Sequence, residues 1–165
     1  MTTVTATSTA RPAIATGFDE AALVSNPTRG TEPAWLGELR QTAFAAYQKL
    51  LKTPLDPEEW KRVDLRAFQP AKFKIAAASS TPAQFKTLLE SRAQFAGVVS
   101  HVDGHRIESR LAPELAAKGV LFGGIGELLA QHGELLKSKL LSAVKPDADR
   151  IAAWHAAFMT GGTVL

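Results

Sequence analysis

The sequence predicts an α+β fold. Apolar residues recur at three- and four-residue steps over Pro33–Lys52 and Asp147–Thr160, which is typical of helices with one buried face. Between these segments, residues 98–111 change to a two-residue period around Asp103-Gly104, a dipeptide that favours the type I′ turn of a β-hairpin. The chain has 165 residues, which is enough for about one domain of this kind.

Composition excludes several classes of protein. The chain has 0 cysteines, which excludes disulfide frameworks and metal or cluster sites built on its own thiolates. No apolar run approaches about 20 residues, so the sequence predicts no transmembrane span. The 19 basic and 16 acidic residues give a net charge of +3 and a pI of about 9.3. The basic residues are dispersed, and only Lys61 and Arg62 are adjacent, which is a weak argument for nucleic-acid binding.

Composition and the order of the elements divide the chain into three regions. Residues 1–32 are rich in Thr, Ser and Ala and are interrupted by Pro and Gly, so we expect a disordered tail. Residues 33–95 form a helical region, and residues 96–165 contain the hairpin and the helices after it. We expect a cytoplasmic protein with a flexible tail. A plastid transit peptide is the alternative, although the tail contains few arginines for one.

The first helix is predicted over Pro33–Lys52, with Thr31 as its N-cap and Pro33 in its first turn. Glu38, Arg40 and Lys49 belong to the face that we expect to contact solvent. The opposite face carries the apolar residues expected in the core: Trp35, Leu36, Leu39, Ala43, Ala46, Tyr47 and Leu50. Further core residues are expected outside this helix, at Trp60, Ile107, Trp154 and Phe158.

Shorter elements lie on either side of the hairpin. Asp56 is expected to cap a turn that includes Glu59, and Pro82–Arg92 to form a helix. After the hairpin, Pro113–Lys118 is expected to form a helical turn that Gly119 ends.

Two short helices over residues 126–131 and 134–143 follow, with a break near Gly133. Asp147 is expected to cap the last helix, and residues 163–165 are β-prone without an obvious partner strand, which suggests a truncated chain.

No residue is assigned to catalysis, to a cofactor or to a metal. His101, Asp103 and His105 flank the hairpin turn, and two histidines with a carboxylate are a combination that metal enzymes use. Exposed hairpin residues are the preferred interpretation, since no further ligand is apparent. His155 is interpreted as a core or interface histidine. Residues 123–126 are interpreted as a tight turn rather than a phosphate-binding loop, because they lack the Lys-Ser/Thr of a P-loop.

Four segments together resemble the SufB/SufD family of Fe–S cluster assembly proteins. Residues 35–51, followed by residues 58–65, are similar to the N-terminal helix and Glu-Glu-Trp-Arg-Tyr-Thr-Asp-Leu motif of SufD. Val98–Arg106 resembles the family's Val-Asp-Gly-Arg hairpin, and Gly119–Gly126 its Gly-Val-x-Phe segment. Residues 153–163 resemble the Ala-Leu-His-Ala-Ala-Phe-x-x-Gly-Gly-Thr motif of SufD.

The chain departs from these motifs at several positions. Arg62 stands where the family often has an aromatic residue, Val63 where it often has threonine, and His105 where it usually has arginine. SufB has a looser version of the last motif and a longer N-terminal region, so SufD is favoured over SufB.

The resemblance implies a scaffold rather than an enzyme. SufD assembles with SufB and the ATPase SufC in a complex that builds Fe–S clusters, and the family's core is a right-handed parallel β-helix between helical ends. We therefore expect the helical region and hairpin to lead into the start of a parallel β-helix that is largely absent from this chain. The family's cluster-related residues and SufC-binding helices correspond to positions after Leu165.

Several expectations about partners and cofactors follow from the resemblance. We expect no cofactor in this chain, an Fe–S cluster handled by the full complex, and neither nucleic acid nor membrane as a partner. A homodimer is left open. Two alternatives stand beside this hypothesis: a basic nucleic-acid-binding module, suggested by the pI, and a small metal enzyme that uses the hairpin histidines.

Overall fold

A computed structural model describes residues 17–54, 56–58, 60–63, 69–76 and 94–165. Within these ranges the fold combines helices with two small antiparallel sheets, which confirms the α+β class. The elements in chain order are α1 (Glu20–Val24), α2 (Ala34–Leu51), a 3-10 turn (Pro70–Lys72), β1 (Gly97–Val102), β2 (His105–Leu111), α3 (Pro113–Ala116), β3 (Gly123–Gly124), α4 (Ile125–Lys137), α5 (Arg150–Phe158) and β4 (Thr163–Val164).

The core is built on the packing of α2 against α5. Three alanines of α5, Ala153, Ala156 and Ala157, are completely buried, and Ala43 of α2 is almost so. Small side chains allow the two helix backbones to approach closely. Larger side chains fill the space around this contact. Arg150 strengthens the pairing because its guanidinium donates to the carbonyl oxygen of Thr53 just after α2.

Aromatic rings fill the rest of the core. Phe158 lies at its centre, with ring centroids 5.1 Å from Phe18 and 5.7 Å from Phe44, both in edge-to-face geometry. Trp154 packs edge-on against Phe18 at 4.9 Å. Such pairs add stabilisation of about 0.5–1.5 kcal/mol each beyond the apolar area that they bury.

The core residues expected from the sequence are distributed unevenly. Tyr47 and Phe158 are buried in the core cluster, and Leu39 and Trp154 pack against it while partly exposed. Three further expected residues, Trp35, Trp60 and Ile107, are half-buried outside the cluster. The indole of Trp35 instead lies beside Gly133 of α4.

The segment 17–32 is ordered, although its composition suggested a disordered tail. Asp19 caps α1 by accepting a hydrogen bond from the N–H of Ala22 at 2.9 Å. Leu23 of α1 is only 4% exposed and belongs to the core cluster. Burial of Leu23 and the cap at Asp19 offset the entropy of ordering this segment, an effect that composition does not reveal.

Arg40 is the largest departure from the expected pattern of α2. The alternation of polar and apolar residues placed it on the solvent face, but its side chain is buried. Its guanidinium donates from Nε to Glu32 Oε2 at 2.9 Å, from Nη1 to the carbonyl oxygen of Ala157 at 3.1 Å and from Nη2 to Thr28 Oγ1 at 3.1 Å. Arg40 thereby joins the N-terminal segment, α2 and the end of α5.

Helix α2 begins and ends within a residue of the expected limits, but its cap differs. Pro33 occupies the N-cap position and makes no side-chain cap hydrogen bond. The hydroxyl of Thr31, the expected cap, donates instead to the carbonyl oxygen of Thr28 at 3.1 Å. The segment before α2 is held by Arg40, so its path is set by a tertiary contact rather than by a local cap.

The β-hairpin is confirmed in position and turn type. Asp103 and Gly104 both have positive φ, at 50° and 82°, as a type I′ turn requires. The burial of β2 alternates between half-buried and exposed, in the two-residue period of the sequence. Between Ser100 and His101 the opposite residue changes from Glu108 to Arg106, so Ile107 is an extra residue in β2.

The β-prone residues after α5 have a partner strand that the sequence did not identify. β4 pairs antiparallel with β3, with Gly123 opposite Val164 and Gly124 opposite Thr163. Two glycines have low β-propensity, so β3 carries no strand signal in the sequence. The packing at Gly124 is close, since a Cβ there would lie 2.4 Å from the Arg106 side chain and would require that side chain to move.

Other boundaries agree in part with the expectations. Gly119 follows α3 with a φ of 82°, as the predicted helix stop requires. The predicted break in the following helices lies at His132, whose φ of −131° and ψ of 29° kink α4. Asp149 rather than Asp147 caps α5, accepting from the N–H groups of Ile151 and Ala152.

Some expectations fall outside the described residues. These are the tail before Gly17, Glu59 and the helix over Pro82–Arg92. In the part of the chain that is described, no helix is both long enough and apolar enough to cross a membrane.

Replacing Arg40 with methionine is expected to destabilise the fold by about 3–5 kcal/mol, because the carboxylate of Glu32 would be left buried without its counter-ion. Urea unfolding of the purified variant measures this change. Lys49→Met, an exposed position of the same helix, is the matched control and should be nearly neutral. The double variant Arg40→Met/Glu32→Gln should recover part of the loss. A cost below about 1 kcal/mol for Arg40→Met would contradict the central role of this ion pair.

Alkaline pH is expected to weaken the fold through Tyr47. Burial raises the pKa of its phenol above the ordinary value of 10.0, and the Arg150 guanidinium opposes this in part. Above about pH 10 the unfolded chain releases a proton that the folded chain retains, so stability falls as pH rises. The sequence contains 1 tyrosine, so tyrosinate absorbance reports this group alone. Tyr47→Phe should lose less stability in this range, and a folded-state midpoint at or below 10 would refute the prediction.

Candidate functional site

Residues 150–164 connect the segments that carry the family resemblance. α5 packs against α2, which lies in the first segment. Gly161 lies against the hairpin turn of the second segment, and β4 pairs with β3 of the third. Parts of all four segments therefore meet at residues 150–164.

The hairpin turn rests on Gly161 without room for a side chain. A Cβ on Gly161 would lie 1.8 Å from the carbonyl oxygen of Gly104, far inside van der Waals contact. The hydroxyl oxygen of Thr160 lies near the same turn, at 3.2 Å from a Cβ built on Gly104. Gly161 is thus needed for close backbone approach.

The two hairpin histidines do not come together. His101 is opposite Arg106 and His105 is opposite Val102, so the histidines are on opposite faces of the hairpin. His101 Nε2 lies 3.2 Å from the carbonyl oxygen of Gly162, and His105 Nε2 lies 2.6 Å from that of Ala76. Each imidazole therefore anchors the hairpin to a different segment.

Asp103 is exposed at the tip of the turn. Across the described ranges, no three histidine, aspartate or glutamate side chains are grouped in a way that could hold a metal ion. The geometry thus does not bring His101, Asp103 and His105 together as one ligand set. His155, expected in a core or interface, lies exposed in the last turn of α5.

The glycine-rich residues 123–126 are packed against other parts of the chain. The N–H of Ile125, the first residue of α4, donates to the carbonyl oxygen of Gly162 at 2.9 Å. Arg106 lies against Gly124, and its Nη2 is 3.6 Å from Oε2 of Glu127 in the first turn of α4. These contacts support the interpretation of residues 123–126 as a tight turn in close packing.

An apolar groove of about 330 Å³ lies beside β4. Its walls come from α4, the turn after α4 and β4: Ile125, Leu129, Leu136, Lys139, Leu140, Leu141, Thr163, Val164 and Leu165. We call this the β4 groove. The sequence did not predict this groove, because its two walls are distant in the chain. Leu141 in one wall and Thr163 in the other are more than 20 positions apart. The helical leucine pattern showed a buried side but not what that side faces.

Comparison with known proteins gives no match. No protein-family model matches the chain, and neither curated proteins nor solved structures contain a significant match.

Replacing Gly161 with alanine is expected to destabilise the protein by about 1–3 kcal/mol, because the new Cβ would force the hairpin turn away from the turn after α5. Denaturant unfolding and the imidazole NMR signal of His101 measure the change. Gly30→Ala is the matched control, since a Cβ at Gly30 meets nothing within 4 Å. Equal stability of the two variants would disprove the close contact.

Proposed function

We propose that this chain is the N-terminal part of a scaffold subunit of the SUF Fe–S cluster assembly complex, similar to SufD and without catalysis of its own. The observation that carries the proposal is the convergence of the four resembling segments. Residues that match the last SufD-like motif contact the segments that match the other three. Their meeting in one packed unit is consistent with a common origin of the four resemblances.

The proposed role accounts for the use of the polar residues near the hairpin. His101 and His105 both contact backbone carbonyl oxygens, and the first N–H of α4 is paired within the chain. Polar groups of the kind that active sites use are therefore engaged in contacts between segments of the chain. This use is consistent with a structural subunit.

The finer architecture is also part of the proposal. We place the chain before a right-handed parallel β-helix, with β4 as the point from which that sheet structure continues. Support comes from the position of β4, which follows the Gly161-Gly162 turn as the resembling motif requires. SufB and SufC are the proposed partners, and the Fe–S cluster belongs to the full complex rather than to residues of this chain.

Co-purification tests the proposal. The complete gene product that carries this chain is co-expressed with SufB and affinity-tagged SufC, and the 165-residue chain is co-expressed with them in parallel. We expect SufC to retain the complete product together with SufB, and to retain the 165-residue chain less or not at all. The family's partner-binding elements correspond to positions outside this chain.

Failure of both products to be retained would overturn the scaffold proposal. A folded control is included by comparing the thermal unfolding of each product, so that loss of binding is not confused with loss of structure. In that outcome, DNA or RNA binding that falls steeply with salt would favour the nucleic-acid alternative.

A further inference from the structure

We propose that the buried pair of Arg40 and Glu32 binds one internal water molecule, which accepts a hydrogen bond from the guanidinium and donates one to the carboxylate. The proposal goes beyond the scaffold function and does not depend on it, because its basis is the ion pair and the cavity beside it. Three features determine the ligand: an unpaired carboxylate oxygen, spare N–H groups and the size of the cavity.

One oxygen of the Glu32 carboxylate lacks a hydrogen-bond donor. Oε2 accepts from Arg40 Nε at 2.9 Å, whereas Oε1 is buried and receives no hydrogen bond from the described residues. The side chain is only 4% exposed, so bulk solvent does not supply the donor. A buried, ionised oxygen without a donor is costly, and native structures nearly always provide one.

The hydroxyl of Thr28 does not meet this need. It has one hydrogen, and Asn26 Oδ1 lies closer to the hydroxyl oxygen than Glu32 Oε2 does, at 2.8 Å against 3.3 Å. The backbone N–H of Thr28 also donates to Asn26 Oδ1, which fixes Thr28 beside Asn26. The hydroxyl of Thr28 is thus committed to Asn26 rather than to Oε1 of Glu32.

Arg40 has N–H groups to spare. A guanidinium carries five N–H groups, and the contacts to Glu32, Ala157 and Thr28 use three of them. The ion pair is therefore joined through a single carboxylate oxygen, with donors left on Arg40 and an acceptor left on Glu32. A water molecule that accepts from the guanidinium and donates to Oε1 satisfies both partners at once.

A small cavity of matching size lies beside the pair. Its volume is about 20 Å³, and both Glu32 and Arg40 line it. One water molecule needs about 10–15 Å³ of such space, so the cavity holds one water and no larger ligand. Thr31 and Thr160 also line the cavity, and their hydroxyl groups are further partners of the kind that internal waters use.

The charge of the site selects a neutral ligand. Arg40 and Glu32 compensate each other, so a sodium or ammonium ion would add an uncompensated positive charge to the interior. A chloride ion would be repelled by Glu32 and would leave Oε1 without a donor. Water is neutral and carries both the donor and the acceptor that the pair requires.

Crystallography of the 165-residue chain tests the proposal directly. We expect one water-sized density peak within about 3 Å of both Glu32 Oε1 and a nitrogen of Arg40. Crystals soaked in rubidium bromide are the control for ions, because both ions have an anomalous signal that water lacks. We expect no anomalous peak in the cavity.

Oxygen-17 relaxation dispersion tests the same site in solution, because it counts water molecules that stay bound while the protein tumbles. The variant Arg40→Met/Glu32→Met makes this part of the cavity apolar, and apolar cavities of this size stay dry, so it should lose the signal of about one bound water. Lys61→Met/Glu58→Met makes the same changes in an exposed ion pair and should retain that signal. Thermal unfolding confirms that both variants are folded.

Four results would overturn the proposal. Three of them are crystallographic: a direct hydrogen bond to Oε1 from Arg40 or Asn26, an anomalous peak in the cavity, or an ordered Glu32 without density beside Oε1. The fourth is an equal oxygen-17 signal in the natural sequence and in a folded Arg40→Met/Glu32→Met variant. If that variant does not fold, the crystallographic result decides.

Discussion

The buried ion pair of Arg40 and Glu32 constrains the rest of the fold. Both side chains are only 4% exposed, so each charge depends on the other for its compensation. The same guanidinium also holds the last turn of α5 through Ala157. Displacing α2 from the segment that carries Glu32 would therefore leave an uncompensated charge in the interior, and displacing α5 would break the hydrogen bond to Ala157. The aromatic core and the turn after α5 are built on this fixed arrangement.

Features that depend on neighbouring residues could be predicted from the sequence. The hairpin turn at Asp103-Gly104 and the stop at Gly119 require positive φ, which is a property of the residues themselves. The helical period was also sufficient to predict α2, because the apolar face of this helix is continuous over five turns. In α5 the helix was predicted, but His155 of the expected apolar stripe is exposed, and Asp149 rather than Asp147 is the N-cap.

Features that depend on distant residues could not be predicted. An arginine on a polar face is ordinarily exposed, and only the carboxylate of Glu32 and the carbonyl of Ala157 make burial of Arg40 favourable. Gly123 and Gly124 show no β-propensity, so the partner of β4 had no local signal. The β4 groove likewise exists only because α4 and β4 meet. Local periodicity thus specified the elements, and long-range contacts specified the surface.

The pairing of α2 with α5 also has a consequence for synthesis of the chain. Arg40 and the carbonyl of Ala157 are 117 positions apart, so α2 leaves the ribosome long before α5 is made. Until then Phe44 and Tyr47 have no partner helix, and the early part of the chain presents an apolar surface. Closing so long a loop slows folding. Nascent chains of this protein should therefore be substrates for ribosome-associated chaperones until α5 emerges.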